Sequence, residues 1–250
     1  MPLVSGTELW ACRGANQRAL PHFDVGGGNL DMIWAVCKAL KDEGAVAFLA
    51  STPASIKAYH GFDIFTHNIR LVTERFNVYV AAHLDHATDL QDIREGLKAG
   101  CTSVMFDGSR LSLDENIKQT RLVVDAAHRH GVTVEGEVGA IGGKEDETDN
   151  FQQDGLDLVD LVRFVSDTGV DYFAPAIGTQ HGFYNRQPVI QWDLALQLAA
   201  AIHIPLVLHG ATDLSTETCH RLVAIGFKKV NYATGVRNAF REGVLAAIEK

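Results

Sequence analysis

The chain has 250 residues, 46% of them hydrophobic and 21% charged, with six prolines. That profile fits a globular chain with a large core and excludes a disordered or collagen-like one. Lys and Arg number 22 against 31 Asp and Glu, a formal charge of −9, which argues against a protein that coats nucleic-acid phosphates or an anionic membrane surface. Four cysteines, Cys12, Cys37, Cys101 and Cys219, form no C-x-x-C pair, so neither a zinc ribbon nor a disulfide framework is expected. The first residues lack a basic stretch followed by an apolar run, and no apolar run approaches the roughly 20 residues of a membrane span. A cytoplasmic protein is the expectation. Eleven histidines, half the number of Lys and Arg together, stand out.

Short apolar, β-branched runs alternate with longer amphipathic stretches, the pattern of βα units on a parallel sheet. In chain order, a strand at 20–25 leads through Gly26-Gly-Gly-Asn to a helix at 30–41. Strands at 46–50, 78–83 and 103–107 are followed by helices at 63–75, 89–98 and 113–130. The strand at 133–137 runs into a long Gly- and acid-rich connection, 139–155, that reads as a functional flap before the helix at 156–168. Strands at 172–177, 206–209 and 229–233 precede helices at 192–201, 215–225 and 235–249. Ser215 is a good N-cap, and Gly44, Gly100, Gly131, Gly169 and Gly226 stand where helices end. Eight such units without a Pro- or Ser-rich linker predict a single (β/α)8 TIM barrel over residues 1–250.

In that fold the chemistry lies at the carboxyl ends of the strands. His83 and His86 end the third strand in His83-Leu-Asp-His, His181 follows the sixth, and His209 ends the seventh. The other seven histidines are expected in helices, helix ends or loops, with surface or packing roles. One histidine at a strand end is ordinarily a satisfied core residue. Three imidazoles from different strands with a fourth position open form the ligand set of a catalytic zinc site. Asp85 sits between two histidines, Asp107 ends the fourth strand and Glu137 the fifth. For Glu135 and Glu137, strand alternation is expected to send one acid into the barrel and the other toward the helices. The small-residue turns His209-Gly-Ala-Thr-Asp and Asn231-Tyr-Ala-Thr-Gly run into helices, as phosphate-binding loops after the seventh and eighth strands do. There is no Walker A motif, no G-x-S-x-G elbow and no H-E-x-x-H.

Six motifs in order, His83-Leu-Asp-His, Thr102-Ser-Val-Met-Phe-Asp-Gly-Ser, Glu135-Gly-Glu-Val-Gly-Ala-Ile-Gly-Gly-Lys-Glu-Asp, Ala176-Ile-Gly-Thr-Gln-His-Gly-Phe-Tyr, Leu206-Val-Leu-His-Gly and Lys229-Val-Asn-Tyr-Ala-Thr, make the chain resemble the class II, metal-dependent fructose-bisphosphate and tagatose-bisphosphate aldolases. The resemblance runs from about Leu20 to the last helix. It implies His86, His181 and His209 as ligands of a catalytic Zn2+ and Asp107 and Glu137 as a second divalent-metal position; a monovalent cation is a further ion it allows. It implies Asp85 as the acid exchanging a proton with the C4 oxygen, and Glu145 on the flap as the base toward dihydroxyacetone phosphate. By the same match Asn231 contacts the enediolate, Gly182, Gly210, Thr212 and Thr234 cradle the phosphate, and Ser51 meets the far end of the substrate.

The activity so implied is reversible cleavage of a ketose phosphate or bisphosphate to dihydroxyacetone phosphate and an aldehyde, in a homodimer or homotetramer. Lys229, expected at the start of the eighth strand, is the one strand lysine, which weakens a Schiff-base mechanism. Two positions depart from the family pattern: Asp213 stands where Gly is usual and Asp24 where Asn is usual. Both are expected at the substrate, where a carboxylate opposes a phosphate dianion by about 1 kcal/mol. An unphosphorylated ketose or keto-acid therefore stays open as substrate. A non-catalytic barrel subunit and a metal-dependent sugar epimerase are the readings from other classes.

Overall fold

The computed structural model describes residues 2–15, 17–139, 141, 157–184 and 188–249. Eight parallel strands close into a barrel in sequence order. They are β1 (Leu20–Asp24), β2 (Ala47–Ser51), β3 (Val80–Ala87), β4 (Ser103–Phe106), β5 (Thr133–Val138), β6 (Tyr172–Pro175), β7 (Leu206–Leu208) and β8 (Phe227–Tyr232). The helices before β4 are α1 (Gly6–Cys12), α2 (Leu30–Glu43), α3 (Pro53–Ala58), α4 (Phe62–Phe76) and α5 (Leu90–Ala99). After it come α6 (Leu113–His128), α7 (Leu158–Thr168), α8 (Trp192–Ala201), α9 (Thr216–Ile225) and α10 (Thr234–Ile248). The (β/α)8 barrel expected from the sequence is thus the observed fold, with boundaries shifted by one to four residues. Among the described residues no helix is long and apolar enough to cross a membrane.

Two layers of apolar packing hold the barrel. The outer one lies between strands and helices, where Ile33, Leu49, Phe65, Val104, Phe164 and Phe173 are buried together. The inner one is small: Leu20, Phe48, Ala81, Tyr172, Ala174 and Val207 fill the lumen near the strand starts, with Leu9 packed on them. Leu9 comes from α1, a helix absent from the sequence reading. Its signal was the capping box Ser5-Gly-Thr-Glu8, which forms here in both directions. The helix closes the bottom of the barrel, with Tyr172 Oη donating to Gly6 O at 3.0 Å and Thr7 N donating to Thr133 Oγ1 at 3.3 Å.

Strand parity corrects the expectation for the two glutamates. Residues i and i+2 share a face, so Glu135 and Glu137 both turn inward and both are buried, while Gly136 between them faces the helices. A Cβ on Gly136 would lie 2.8 Å from Phe164 Cζ and 3.1 Å from Val170 Cγ1, so β5 and α7 meet without room for a side chain. Gly136→Val is expected to cost about 1–3 kcal/mol by overpacking, seen as a fall of roughly 3–10 °C in melting temperature for a chain of this size. An unchanged melting temperature would show that this contact is loose.

Candidate active site

The site begins with an irregularity in β3. Leu84 pairs with Val104 but Ala87 pairs with Phe106, so three steps on β3 match two on β4. The extra residue is a bulge, and His86 within it takes φ +48°, a left-handed conformation that residues other than glycine rarely adopt. Without it, alternation would turn Asp85 inward and His86 outward; with it, both line one cleft. That cleft is lined further by His22, His181, Gly182, His209, Gly210, Thr212, Asn231, Ala233 and Thr234.

The rings of His86, His181 and His209 lie with centroids 4.9, 4.9 and 5.5 Å apart. Two are held by carboxylates. His86 Nδ1–H donates to Asp107 Oδ2 at 2.9 Å, leaving Nε2 for the cleft. His209 Nε2–H donates to Glu135 Oε1 at 2.8 Å, which leaves Nδ1 as a lone pair, 3.3 Å from His181 Nε2. Asn231 Nδ2 lies 3.2 Å from the same His209 Nε2, and His181 Nδ1 is buried without a partner.

These donors fit a metal ion. One ligand atom from each imidazole lies within 4.8 Å of the others. The 3.3 Å between His181 Nε2 and His209 Nδ1 matches the roughly 3.3–3.4 Å that two nitrogens at about 2.0–2.1 Å from a tetrahedral Zn2+ require. Carboxylates on the far nitrogens of His86 and His209 are the outer shell that orients metal-binding imidazoles. His86, Asp107 and Glu137 make a second such group. Burial and then Asp107 push Glu137 well above 4.5, because two carboxyls cannot both ionise there without a cation. Burial opposes ionisation of Asp107 too, yet His86 and Ser109 outweigh it and hold its carboxyl low.

Asp85 is 3% exposed. Burial raises its pKa, but His22, His86 and His83 together overcome this and hold it well below 3.8. His22 Nε2 and His83 Nε2 each stand 3.5 Å from one of its oxygens. His83 Nδ1 meets Ser103 Oγ at 2.8 Å, so this ring serves Asp85 and not the three cleft imidazoles. Beneath them Lys229 Nζ lies 2.7 Å from Glu135 Oε2, both fully withdrawn from water. Lys229 is the third residue of β8 and not its first, since β8 begins at Phe227.

The remaining expected residues divide. Gly182, Gly210, Thr212 and Thr234 line the cleft. Gly210 has φ +70°, and a Cβ there would sit 2.2 Å from Gln180 O, so only glycine lets the loops after β6 and β7 touch. Asp24, Asp213 and Ser51 are absent from the cleft lining. Asp24 is 1% exposed; it takes both Arg237 Nη2 at 2.7 Å and Nε at 3.2 Å, and the Gly26 N–H at 2.7 Å. Asp213 is exposed and accepts the Tyr184 N–H at 3.0 Å. Neither presents a bare charge to the cleft, which corrects the expectation that both oppose a phosphate. Ser51 Oγ accepts the Gly27 N–H at 2.7 Å. Glu145 lies outside the described residues.

Three residues were underrated by sequence reasoning. His22 was placed among helix and loop histidines, but it is in β1, and the parity of Leu20, His22 and Asp24 on one face was its signal. Glu135 was set against Glu137 as an alternative, and Lys229 was considered only as an amine nucleophile.

Fold and site define an enzyme of the barrel class with its polar groups gathered where the strands end. Residues 5–250 match the family described as fructose-bisphosphate aldolase class-II, and the chain belongs to that family, which places its activity among the aldolases. Among solved structures it is similar to the YdjI aldolase from Escherichia coli K12, at 27% identity over 91% of this chain and 80% of that one, with a TM-score of 0.77. It is also similar to a Coccidioides immitis structure assigned as a fructose-1,6-biphosphate aldolase, at 27% identity, 95% and 84% coverage and a TM-score of 0.84. The fructose-bisphosphate aldolase from Campylobacter jejuni shares the fold at 23% identity, 98% and 81% coverage and a TM-score of 0.81.

The Glu135–Lys229 pair yields a stability test. Lys229→Met leaves a buried carboxylate without its cation and is expected to destabilise by about 3–5 kcal/mol. Adding Glu135→Gln removes that charge and should recover part of the loss. A calorimetric double-mutant cycle measures this; additive losses would show that the two groups act separately.

Proposed function

We propose that the chain is a zinc-dependent class II aldolase that cleaves a ketose phosphate or bisphosphate reversibly to dihydroxyacetone phosphate and an aldehyde. The observation that carries this reading is the convergence of His86, His181 and His209 beside the ionised Asp85 at the barrel mouth. A bound Zn2+ would be held by the three imidazoles and would supply Lewis-acid stabilisation of charge developing on substrate oxygens. Asp107 and Glu137 with His86 would hold a second divalent ion.

Asp85 then exchanges one proton. As the C3–C4 bond breaks, its carboxylate takes the proton of the C4 hydroxyl, whose oxygen becomes the aldehyde carbonyl; in condensation the same proton returns. Its burial and low pKa keep it ionised and ready to accept. Glu145 keeps the role the family resemblance implies, proton transfer at the dihydroxyacetone phosphate carbon, and Asn231 keeps the contact to that fragment.

A phosphorylated substrate is favoured by the cleft's other wall. Gly182 and Gly210 both have positive φ, and a Cβ on Gly182 would meet nothing within 4 Å, so its backbone is open to approach. Thr212 and Thr234 stand beside the start of α10, whose N-cap, Ala233, offers no side chain to the first turn. A 15-residue helix carries partial positive charge at this end and favours a dianion there. Arg237 neutralises Asp24, which removes the main argument for an unphosphorylated sugar.

Cleavage should be assayed on a panel of fructose and tagatose 1-phosphates, 1,6-bisphosphates and the free ketoses. Phosphorylated substrates are expected to be split and the free ones left. Dialysis against a chelator should abolish turnover and Zn2+ restore it; full activity after complete metal removal would sink the proposal. Asp85→Asn is expected to lower kcat by about 10²–10⁴-fold, while metal content stays at the wild-type level.

A further inference from the structure

His22 has no part in the scheme above, yet it occupies a demanding position. It is the third residue of β1 and 0% exposed. It lines the cleft with Asp85, and its Nε2 lies 3.5 Å from Asp85 Oδ2. On the opposite side His83 Nε2 lies 3.5 Å from Asp85 Oδ1. The two rings meet edge to face, centroids 5.5 Å apart at 69°. Neither nitrogen of His22 has a closer hydrogen-bond partner. Buried polar atoms of native proteins rarely go unpaired, and each exception calls for a functional or structural account.

Protonation follows from the surroundings. Burial above all, with Lys229 and His83 adding to it, holds His22 neutral despite the pull of Asp85 and Glu135. A neutral imidazole has one N–H and one lone pair. Facing an ionised carboxylate, which only accepts, the N–H belongs on Nε2. His83 is oriented for the same task, because Ser103 Oγ engages its Nδ1 at 2.8 Å. Asp85 therefore stands between two N–H groups from different strands, one toward each oxygen. At 3.5 Å these contacts are at the outer limit of hydrogen bonding, and such contacts in empty sites tighten when substrate fills them.

We infer that His22 is a positioning residue: from β1 it holds Oδ2 of Asp85, opposite His83 on Oδ1, and so fixes the plane of the carboxylate that exchanges the substrate proton. The inference rests on the reading of Asp85 as that proton-exchanging group. A hydrogen-bond clamp restricts rotation of the carboxylate without touching the carbon that forms the dihydroxyacetone phosphate fragment. It should thus matter for carbon–carbon cleavage and not for hydrogen exchange in that fragment alone.

Two half-measurements separate these. The first is cleavage of whichever fructose or tagatose phosphate the wild type turns over best. The second is exchange of the C3 hydrogen of dihydroxyacetone phosphate with D2O, followed by NMR. His22→Met keeps the volume and removes the donor; His22→Gln restores an N–H at similar reach. With the Met variant kcat for cleavage is expected to fall about 10–100-fold, the size of a lost bond to a charged group, with KM within about twofold. Gln should recover most of that loss. Dihydroxyacetone phosphate exchange, zinc content by mass spectrometry and melting temperature should match wild type in both.

Wild-type cleavage by the Met variant overturns the inference, and so does equal slowing by Met and Gln, which would indicate packing alone. A parallel fall in exchange overturns it as a general collapse of the site. Loss of one metal equivalent on His22→Met overturns it in favour of an ion held by His22, His83 and Asp85, whose ligand atoms lie within 4.8 Å of one another. Should the Met variant fail to fold, His22→Asn against His22→Gln replaces it, since Asn lacks the reach; equal rates then overturn the inference. Asp85→Asn run alongside separates the layers. If it still cleaves, the reading of Asp85 fails; if it is inactive while His22→Met is not, only the positioning role fails.

Discussion

Glu135 and Lys229 face each other at 2.7 Å inside the barrel, and the rest of the site is arranged around that contact. Neither group reaches water. A buried charge without its partner is far more costly than a buried pair is favourable, so β5 and β8 are committed to this register. The second carboxylate oxygen then decides a proton position elsewhere. Because Oε1 is an acceptor only, His209 must carry its hydrogen on Nε2, and its Nδ1 lone pair is turned toward His181. One carboxylate joins the strand that closes the barrel to the imidazole that serves the cleft. Held in this pair, the Lys229 amine is not offered to a substrate carbonyl, which agrees with chemistry that needs no Schiff base.

The bulge in β3 acts on the opposite wall. A regular strand delivers His83 and Asp85 to one face and His86 to the other. A single extra residue, with His86 at φ +48°, brings the histidine round beside the aspartate. A left-handed non-glycine residue costs on the order of 1–3 kcal/mol and persists only where its surroundings fix it. Here the fixing contact is the charge-assisted hydrogen bond to Asp107 Oδ2, and Asp107 is itself held by both the N–H and Oγ of Ser109. The strain and the proposed metal ligand are therefore the same residue.

Sequence reading reached different depths in different places for physical reasons. Eight apolar runs alternating with amphipathic stretches expose the barrel because parallel strands buried on both faces and helices buried on one have distinct periods. The short helix α1 escaped because seven residues give no period to read, although its capping box was visible. The pairing of Glu135 with Lys229 and of Asp24 with Arg237 spans 94 and 213 positions, and no local pattern encodes such distances. Asp24 and Asp213 looked like charges aimed at a substrate because motif position says where a residue sits along a strand, not which partner neutralises it. The bulge is the clearest case: His83-Leu-Asp-His carries no mark of an extra residue, and only the pairing partners on β4 reveal it.

The charge balance acquires a different meaning at this scale. A chain at −9 repels an anionic sugar phosphate at long range, but that field is screened over about 8 Å at physiological ionic strength. Inside the cleft the balance is local. Asp24 is cancelled by Arg237 across two hydrogen bonds, Asp213 is turned outward to an amide, and Glu135 is matched by Lys229. What remains near the phosphate wall is the first turn of α10, backed by glycine amides on the loops after β6 and β7. Anion capture then depends on backbone dipoles, which cannot titrate and are fixed by the fold. A proton can thus move at Asp85 without altering the charge that would hold the phosphate.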